Sequence, residues 1–161
     1  MEIQSINRRV ETHVREKNVE LKAQIDDQNK AKGLEFLVTN AKRTGIIVTD
    51  SGLQYEILKN SAASKSKSTD TVKVNYLGML LDGTEFDSSY ARNKPTIFPL
   101  NRVIKGWTEG LQLMGVVAKF KFYVPSNLAY GARSTGKIAS HSTLIFEVEL
   151  LDIVEIDNPK K

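Results

Sequence analysis

At Gly45 the chain changes its hydrophobic period, and that switch divides it into two kinds of structure. Before it, apolar residues fall at Ile3, Ile6, Val10, Val14, Leu21 and Ile25, in steps of three, four or seven that keep one stripe on one side of a helix. No proline interrupts this stretch, its only glycine before the end is Gly33, and Lys42-Arg43 followed by Gly45 makes a helix stop. The pattern predicts one helix from residue 1 to about 44, about 60 Å long at a rise of about 1.5 Å per residue. The stripe is narrow and broken at Lys17-Asn18. Such a helix is either a solvated spacer or an arm that joins domains or supports a dimer.

Beyond Gly45 the period is two. Leu53, Tyr55 and Ile57 alternate with polar neighbours, as do Val72, Val74 and Tyr76. Phe120, Phe122 and Val124 alternate with Lys119, Lys121 and Tyr123, and Pro125 ends that run; Leu144, Phe146, Val148 and Leu150 form the last strand. Asp82-Gly83 is a two-residue hairpin signal leading into Thr84 to Phe86. Residues 61–69 are too polar to bury and are expected to form a mobile loop. One short helix is expected from about Thr108 to Met114. An antiparallel sheet with a single helix on its apolar face is an α+β arrangement. The division expected is an arm at 1–45, a folded domain at 46–157 and a tail at 158–161.

The chemistry available to such a domain is narrow. With no Cys and only two His, thiol nucleophiles, thiolate metal sites and His-rich cages are out, and neither a phosphate-cradling glycine loop nor a nucleophile elbow is present. No metal and no cofactor is called for. The 23 basic and 19 acidic residues are interleaved, with about +2 on either side of Gly45, unlike the one-sided excess of a nucleic-acid binder. No run of about 18 apolar residues encodes a transmembrane helix, and Met1 to Val10 lacks the apolar core of a secretory signal. The compartment stays open: the bacterial cell envelope if a signal has been removed, the cytoplasm otherwise. What remains is a set of aromatic residues, Tyr76, Phe86, Phe98, Trp107, Tyr130 and Phe146, with Asp87 beside one of them. They suit an apolar cavity with a carboxylate at its edge, for a ligand that is apolar and nearly uncharged. Taken singly, Phe146 could be plain core, Trp107 a core anchor and Asp87 a turn cap before Ser88-Ser89. His141 has no acidic neighbour in sequence and reads as structural; His13 belongs to the exposed arm.

Five ordered motifs turn this set into a resemblance. Val74-Asn75-Tyr76-Leu77-Gly78, Asp82-Gly83-Thr84-Glu85-Phe86-Asp87-Ser88-Ser89, Val103-Ile104-Lys105-Gly106-Trp107, Leu128-Ala129-Tyr130-Gly131 and the run from Thr143 to Leu151 resemble the FK506-binding-protein peptidyl-prolyl isomerases. Asn29-Lys30-Ala31-Lys32-Gly33, Phe36-Leu37 and Asn40-Ala41-Lys42 resemble the linker helix of the bacterial Mip-like branch. That branch usually carries a further N-terminal dimerisation module, and most of it is not matched here.

The resemblance implies a half-barrel of five or six antiparallel strands wrapped around the short helix. Trp107 would floor its pocket, Tyr76, Phe86, Tyr130 and Phe146 would wall it, and Asp87 would sit at the rim. Val103 and Ile104 would form the lip, with the Ile104 N–H donating to a ligand carbonyl, while Phe98 and Ile138 would touch substrate and Arg92 would hold the neighbouring loop. The implied function is isomerisation of X–Pro bonds in unfolded or flexible polypeptides, with FK506- or rapamycin-type macrolides as inhibitors and a homodimer through the N-terminal helix. A chaperone or adaptor with the same pocket and little catalysis is the other reading. Three departures stand out. Thr96 replaces a frequent aromatic. The loop from Gly131 to His141 lacks the usual prolines and carries Lys137, so it should be more mobile and more basic. Val117 stands near an expected glycine, so the turn after the helix should differ.

Overall fold

The computed structural model describes residues 2–154, with side chains from residue 15 onward. Helix α1 runs Glu2–Ala41, and the chain then forms strands β1 (Ile46–Val48), β2 (Gln54–Lys59), β3 (Thr71–Met79), β4 (Glu85–Ser88) and β5 (Thr96–Pro99). Helix α2 (Lys105–Leu111), β6 (Lys119–Val124) and β7 (Leu144–Val154) complete it. The α+β expectation holds, with seven antiparallel strands in one sheet ordered β1-β2-β6-β7-β3-β4, and β5 also on β3. The two strands not anticipated are β1, only three residues long, and β5, which ends at Pro99. Helix α2 begins at Lys105 rather than Thr108. Helix α1 stops at Ala41, and Lys42 to Gly45 form the exit turn, with Gly45 at a φ of 91°.

Alternation dictates which side chains turn inward. Val72, Val74 and Tyr76 on β3, Phe120, Phe122 and Val124 on β6, and Leu144, Phe146, Val148 and Leu150 on β7 are all buried in one cluster with α2. The register lines them up in rows: Gly78 lies opposite Phe146, and Phe146 opposite Phe122.

The expected polar face of β6 is not all polar. Tyr123 points away from this core yet is only 2 % exposed, because α1 and its exit turn cover it: Phe36 packs on its ring at 5.8 Å and Arg43 donates to its hydroxyl at 3.2 Å. Directly opposite Tyr123, Gln54 accepts from the Asn40 side chain at 2.9 Å and donates to the Leu37 carbonyl at 2.9 Å. Further along, Gly33 lies against the Thr143 side chain, and Asn29 donates to the Ser140 carbonyl at 2.8 Å. The docking stripe of α1 is therefore Asp26, Asn29, Gly33, Phe36 and Asn40, in helical steps of three and four. Of the apolar stripe read from the sequence, the described members take no part in this docking. Leu21 and Ile25 are each 52 % exposed, and the side chains of Ile3, Ile6, Val10 and Val14 lie outside the described residues, as does that of His13.

Two loops differ from expectation. The segment after β2 is pinned rather than free: Ser61 donates to the Val116 carbonyl at 2.6 Å, buried Ser66 donates to the Leu111 carbonyl at 3.2 Å, and Lys65 bridges Gly115. These bonds to the backbone after α2 hold so polar a stretch in place. The loop from Gly131 to His141 is held as well, by a bridge between Thr135 and Ile138 and by the His141 N–H on the Gly131 carbonyl at 2.7 Å. His141 does have an acidic partner, supplied by α1: its Nε2 lies 3.8 Å from Asp26.

After α2 the turn is made without the glycine. Val117 adopts a φ of 71° so that its N–H can reach the Leu150 carbonyl at 2.7 Å. A β-branched residue in the left-handed region is strained by about 1–3 kcal/mol. Glycine relieves that strain at an entropic cost of about 0.5–1 kcal/mol, and the side chain lost is 48 % exposed, so little burial goes with it. Val117→Gly should therefore raise the melting temperature by about 2–4 °C. A fall in thermal unfolding measurements would mean that the valine is relaxed there.

Candidate functional site

The position of α2 sets the depth of the site. Gly106 and Gly110 are one turn apart on the face turned to the sheet, and no side chain could replace either hydrogen without collision. A Cβ on Gly110 would stand 2.5 Å from the Phe122 ring, and one on Gly106 would stand 2.6 Å from Val124. Close seating of the helix brings Trp107, on the next residue, among three rings. It meets Tyr76 at 5.1 Å, Phe98 at 5.3 Å and Phe146 at 5.2 Å, each edge to face. Such arrangements favour the quadrupoles and lock the indole plane. On β3, Gly78 leaves room for Phe86, whose ring meets Phe146 edge to face at 5.5 Å.

Above these rings opens a cavity of about 730 Å³. Its lining includes Tyr76, Phe86, Asp87, Phe98, Val103, Ile104, Trp107, Tyr130 and Phe146, so the structure brings nine of the eleven expected residues together. Ile104 caps α2 through its carbonyl, which accepts from Trp107 at 3.0 Å, while its own N–H meets no acceptor among the described residues. The Trp107 indole N–H is likewise buried without a protein partner.

Ile138 and Arg92 do not line the cavity. Ile138 is 5 % exposed and turned into the core by the Thr135–Ile138 bridge. Arg92 stands behind the wall, and the sheet explains how it gets there. One edge of β3 pairs with β7 throughout, but the other is shared in series by β5, at Thr71 to Val74, and β4, at Leu77 to Met79. In the gap between them Ser89 takes the place of a strand partner: its hydroxyl accepts from the Tyr76 N–H at 2.8 Å, and its own N–H donates to the Tyr76 carbonyl at 3.0 Å. The chain bulges out from there and returns with Arg92, which pairs with Asp87 and donates at 3.1 Å to both the Tyr76 hydroxyl and Thr96. The Tyr76 hydroxyl also donates to Asp87. Thr96 thus serves this network.

Burial works to raise the Asp87 pKa, but the Tyr76 and Arg92 hydrogen bonds and the guanidinium charge outweigh it and hold the carboxyl below its ordinary value. Burial first, and then the bond to Asp87, push the Tyr76 phenol up. The carboxylate at the rim is therefore ionised and already compensated, and its second task is to fix the Tyr76 ring.

Sequence reasoning missed the charge at the mouth. Arg102, Lys105 and Arg133 line the cavity, whereas Lys137 reaches back to the Glu85 carbonyl at 3.4 Å and takes no part in the lining. A usable signal existed, since Arg102 and Lys105 directly flank Val103-Ile104.

Comparison with known proteins agrees with this architecture. Residues 62–151 match the model of the FKBP-type peptidyl-prolyl cis-trans isomerases, and residues 1–57 match the domain amino-terminal to them. The chain belongs to the FKBP-type peptidyl-prolyl cis-trans isomerase family. It is 53 % identical over 138 residues to the FKBP-type isomerase FkpA of Aeromonas hydrophila, spanning 83 % of this chain and 52 % of that protein. It is 46 % identical over 128 residues to the outer membrane protein MIP of Legionella longbeachae, spanning 79 % and 55 %. The chain thus covers little more than half the length of these relatives. Among solved structures, FkpA from Escherichia coli superposes with a TM-score of 0.86 at 39 % identity, over 94 % of this chain and 71 % of that one. A Pseudomonas syringae isomerase superposes at 0.75, with 32 % identity, over 80 % and 96 %.

The seating of α2 predicts an unusual sign for a helix substitution. Alanine in place of an interior helical glycine normally gains about 1 kcal/mol. At Gly110 the added methyl meets the fully buried Phe122 ring, and overpacking costs about 1–3 kcal/mol. Gly110→Ala should lower the melting temperature and shift the emission of Trp107, measured by thermal unfolding and fluorescence. Unchanged values would show that the ring gives way.

Proposed function

We propose that this chain accelerates cis–trans rotation about X–Pro bonds in unfolded or flexible polypeptides, using the aromatic cavity over Trp107. The observation that carries this reading is an open cavity walled by aromatic rings, with the Ile104 N–H at its lip and no acceptor for it among the described residues. Rotation passes through a twisted amide against a barrier of about 18–20 kcal/mol, because resonance favours planarity. The planar amide is the more dipolar form, so moving it from water into an apolar box raises the ground state more than the twisted state. Aromatic walls hold the pyrrolidine ring by shape. The Ile104 N–H then grips the carbonyl next to proline and leaves the amide free to turn. No bond to the protein is formed. In this reading Tyr76, Phe86, Asp87, Trp107, Tyr130 and Phe146 make up the catalytic box, and Val103, Ile104 and Phe98 hold the substrate. Arg92 acts through Asp87 and Tyr76, and Ile138 supports the wall from within the core. A 10⁴-fold acceleration requires only about 5–6 kcal/mol.

FK506- and rapamycin-type macrolides, which are largely apolar and rich in carbonyls, fit the same box. Trp107 is the only tryptophan in the chain and lines the cavity, so it reports on occupancy. A rapamycin-type ligand should change its fluorescence saturably and block exchange of short proline peptides. Asp87→Leu or Tyr130→Ala should lower kcat/KM on those peptides about tenfold or more while the fold stays intact, a loss of about 1.4 kcal/mol per decade. Wild-type rates in both variants would remove these residues from the site. Macrolide and peptide binding without catalysis would favour a chaperone or adaptor.

The domain reading places the isomerase at 46–157, with residues 1–45 as an arm and 158–161 as a tail. No described arm residue lines the cavity, while the arm does cover Gln54 and Tyr123. A fragment beginning at Ile46 should therefore isomerise short peptides at the intact rate yet unfold at a lower temperature. Loss of peptide activity in a folded fragment would overturn the division. Val19, Leu21, Ile25, Leu34 and Val38, all at least half exposed, support pairing of the arm with a second copy.

A further inference from the structure

The cavity is aromatic within and cationic at its mouth. Arg102 comes from the 3-10 turn before α2, Lys105 opens α2, and Arg133 follows Tyr130 on the opposite loop. All three side chains are exposed, all line the cavity, and none has a carboxylate partner among the described residues. Among the described residues Asp87 is the only acid in the lining, and Arg92 already compensates it. A peptide entering the box thus meets an excess of positive charge from three side chains, although the chain as a whole is nearly balanced. Low-dielectric walls focus such a field at the mouth of a cleft.

We propose that Arg102, Lys105 and Arg133 form a cationic collar that selects polypeptide segments with acidic side chains beside the proline held in the cavity. The collar deepens the isomerase reading and rests on its choice of site. The aromatic box holds the proline ring, so discrimination by charge falls to the cationic side chains at the mouth. A Glu or Asp there approaches three guanidinium or ammonium groups, and a Lys or Arg is repelled by the same three. Each such pair is exposed and individually weak, so the selection depends on three cations converging and fades in salt.

Short peptides that differ only in having Glu, Gln or Lys next to proline test the collar. At low ionic strength kcat/KM should fall in the order Glu, Gln, Lys, with about a tenfold span from Glu to Lys. At about 1 M salt, where the screening length is about 3 Å, the span should shrink to about twofold or less. In the combined variant Arg102→Gln, Lys105→Gln, Arg133→Gln the Glu-to-Lys ratio should collapse toward one, and Lys137→Gln should leave the ratio in place. Equal rates for the three peptides in the wild-type protein, or a span that survives in the combined variant, would overturn the collar. If no peptide is isomerised, the isomerase reading fails by itself. Trp107 fluorescence titrations with the same three peptides then decide the collar through the order of Kd.

Discussion

Contact between α2 and the sheet is the constraint on which the rest of the molecule depends. It is made without side chains on the helix side: Gly106 and Gly110 let the backbone settle on Val124 and Phe122. Lifting the helix by one methyl group would lift Trp107 away from Tyr76, Phe98 and Phe146 together. Interiors are packed like crystals, so there is no slack to absorb such a shift. The depth of the cavity is thus a consequence of two hydrogen atoms, and its aromatic character follows from which rings the inward rows of β3 and β7 present.

The second organising feature is the divided edge of β3. Two short strands share it, and the gap between them forces out a loop that Ser89 anchors to both polar groups of the Tyr76 backbone. That loop carries Arg92 to the back of Asp87 and the Tyr76 hydroxyl. Ionisation of Asp87, orientation of Tyr76 and closure of the wall are therefore one arrangement. The pair is partly exposed and adds little stability; its effect is to place a ring and a charge.

Among its described residues, helix α1 docks through polar and small residues together with Phe36, and not through Leu21 or Ile25. Asp26 and Asn29 hold Ser140 and His141, Gly33 admits Thr143, and Asn40 and Phe36 cover Gln54 and Tyr123. Since the His141 N–H also ties to Gly131 beside Tyr130, the arm braces the base of a loop that lines the cavity without entering it. A polar interface of this kind specifies position well and leaves the apolar side of the helix to the solvent or to another chain.

Much of this was legible in the sequence, and the boundary of legibility is physical. Period-two alternation along 72–76, 120–124 and 144–150 identifies inward rows because a strand's side chains depend only on its own pleat. The break at Gly45 marks the end of the helix because helical geometry is likewise local. The aromatic set of the cavity and Asp87 were readable for the same reason, all but Phe98 lying in a short motif. Tyr123, Ile138 and Arg92 were not, since an outward Tyr is buried only if a remote helix covers it and Arg92 reaches Asp87 only because an edge of β3 is divided. Nor was the collar, which needs the loop at Arg133 to face the turn at Arg102. Local periodicity determined the elements, the core rows and the aromatic inventory of this protein. Pairing between distant segments decided what each polar and charged side chain faces, because charge and hydrogen bonding act across space and carry no period along the chain.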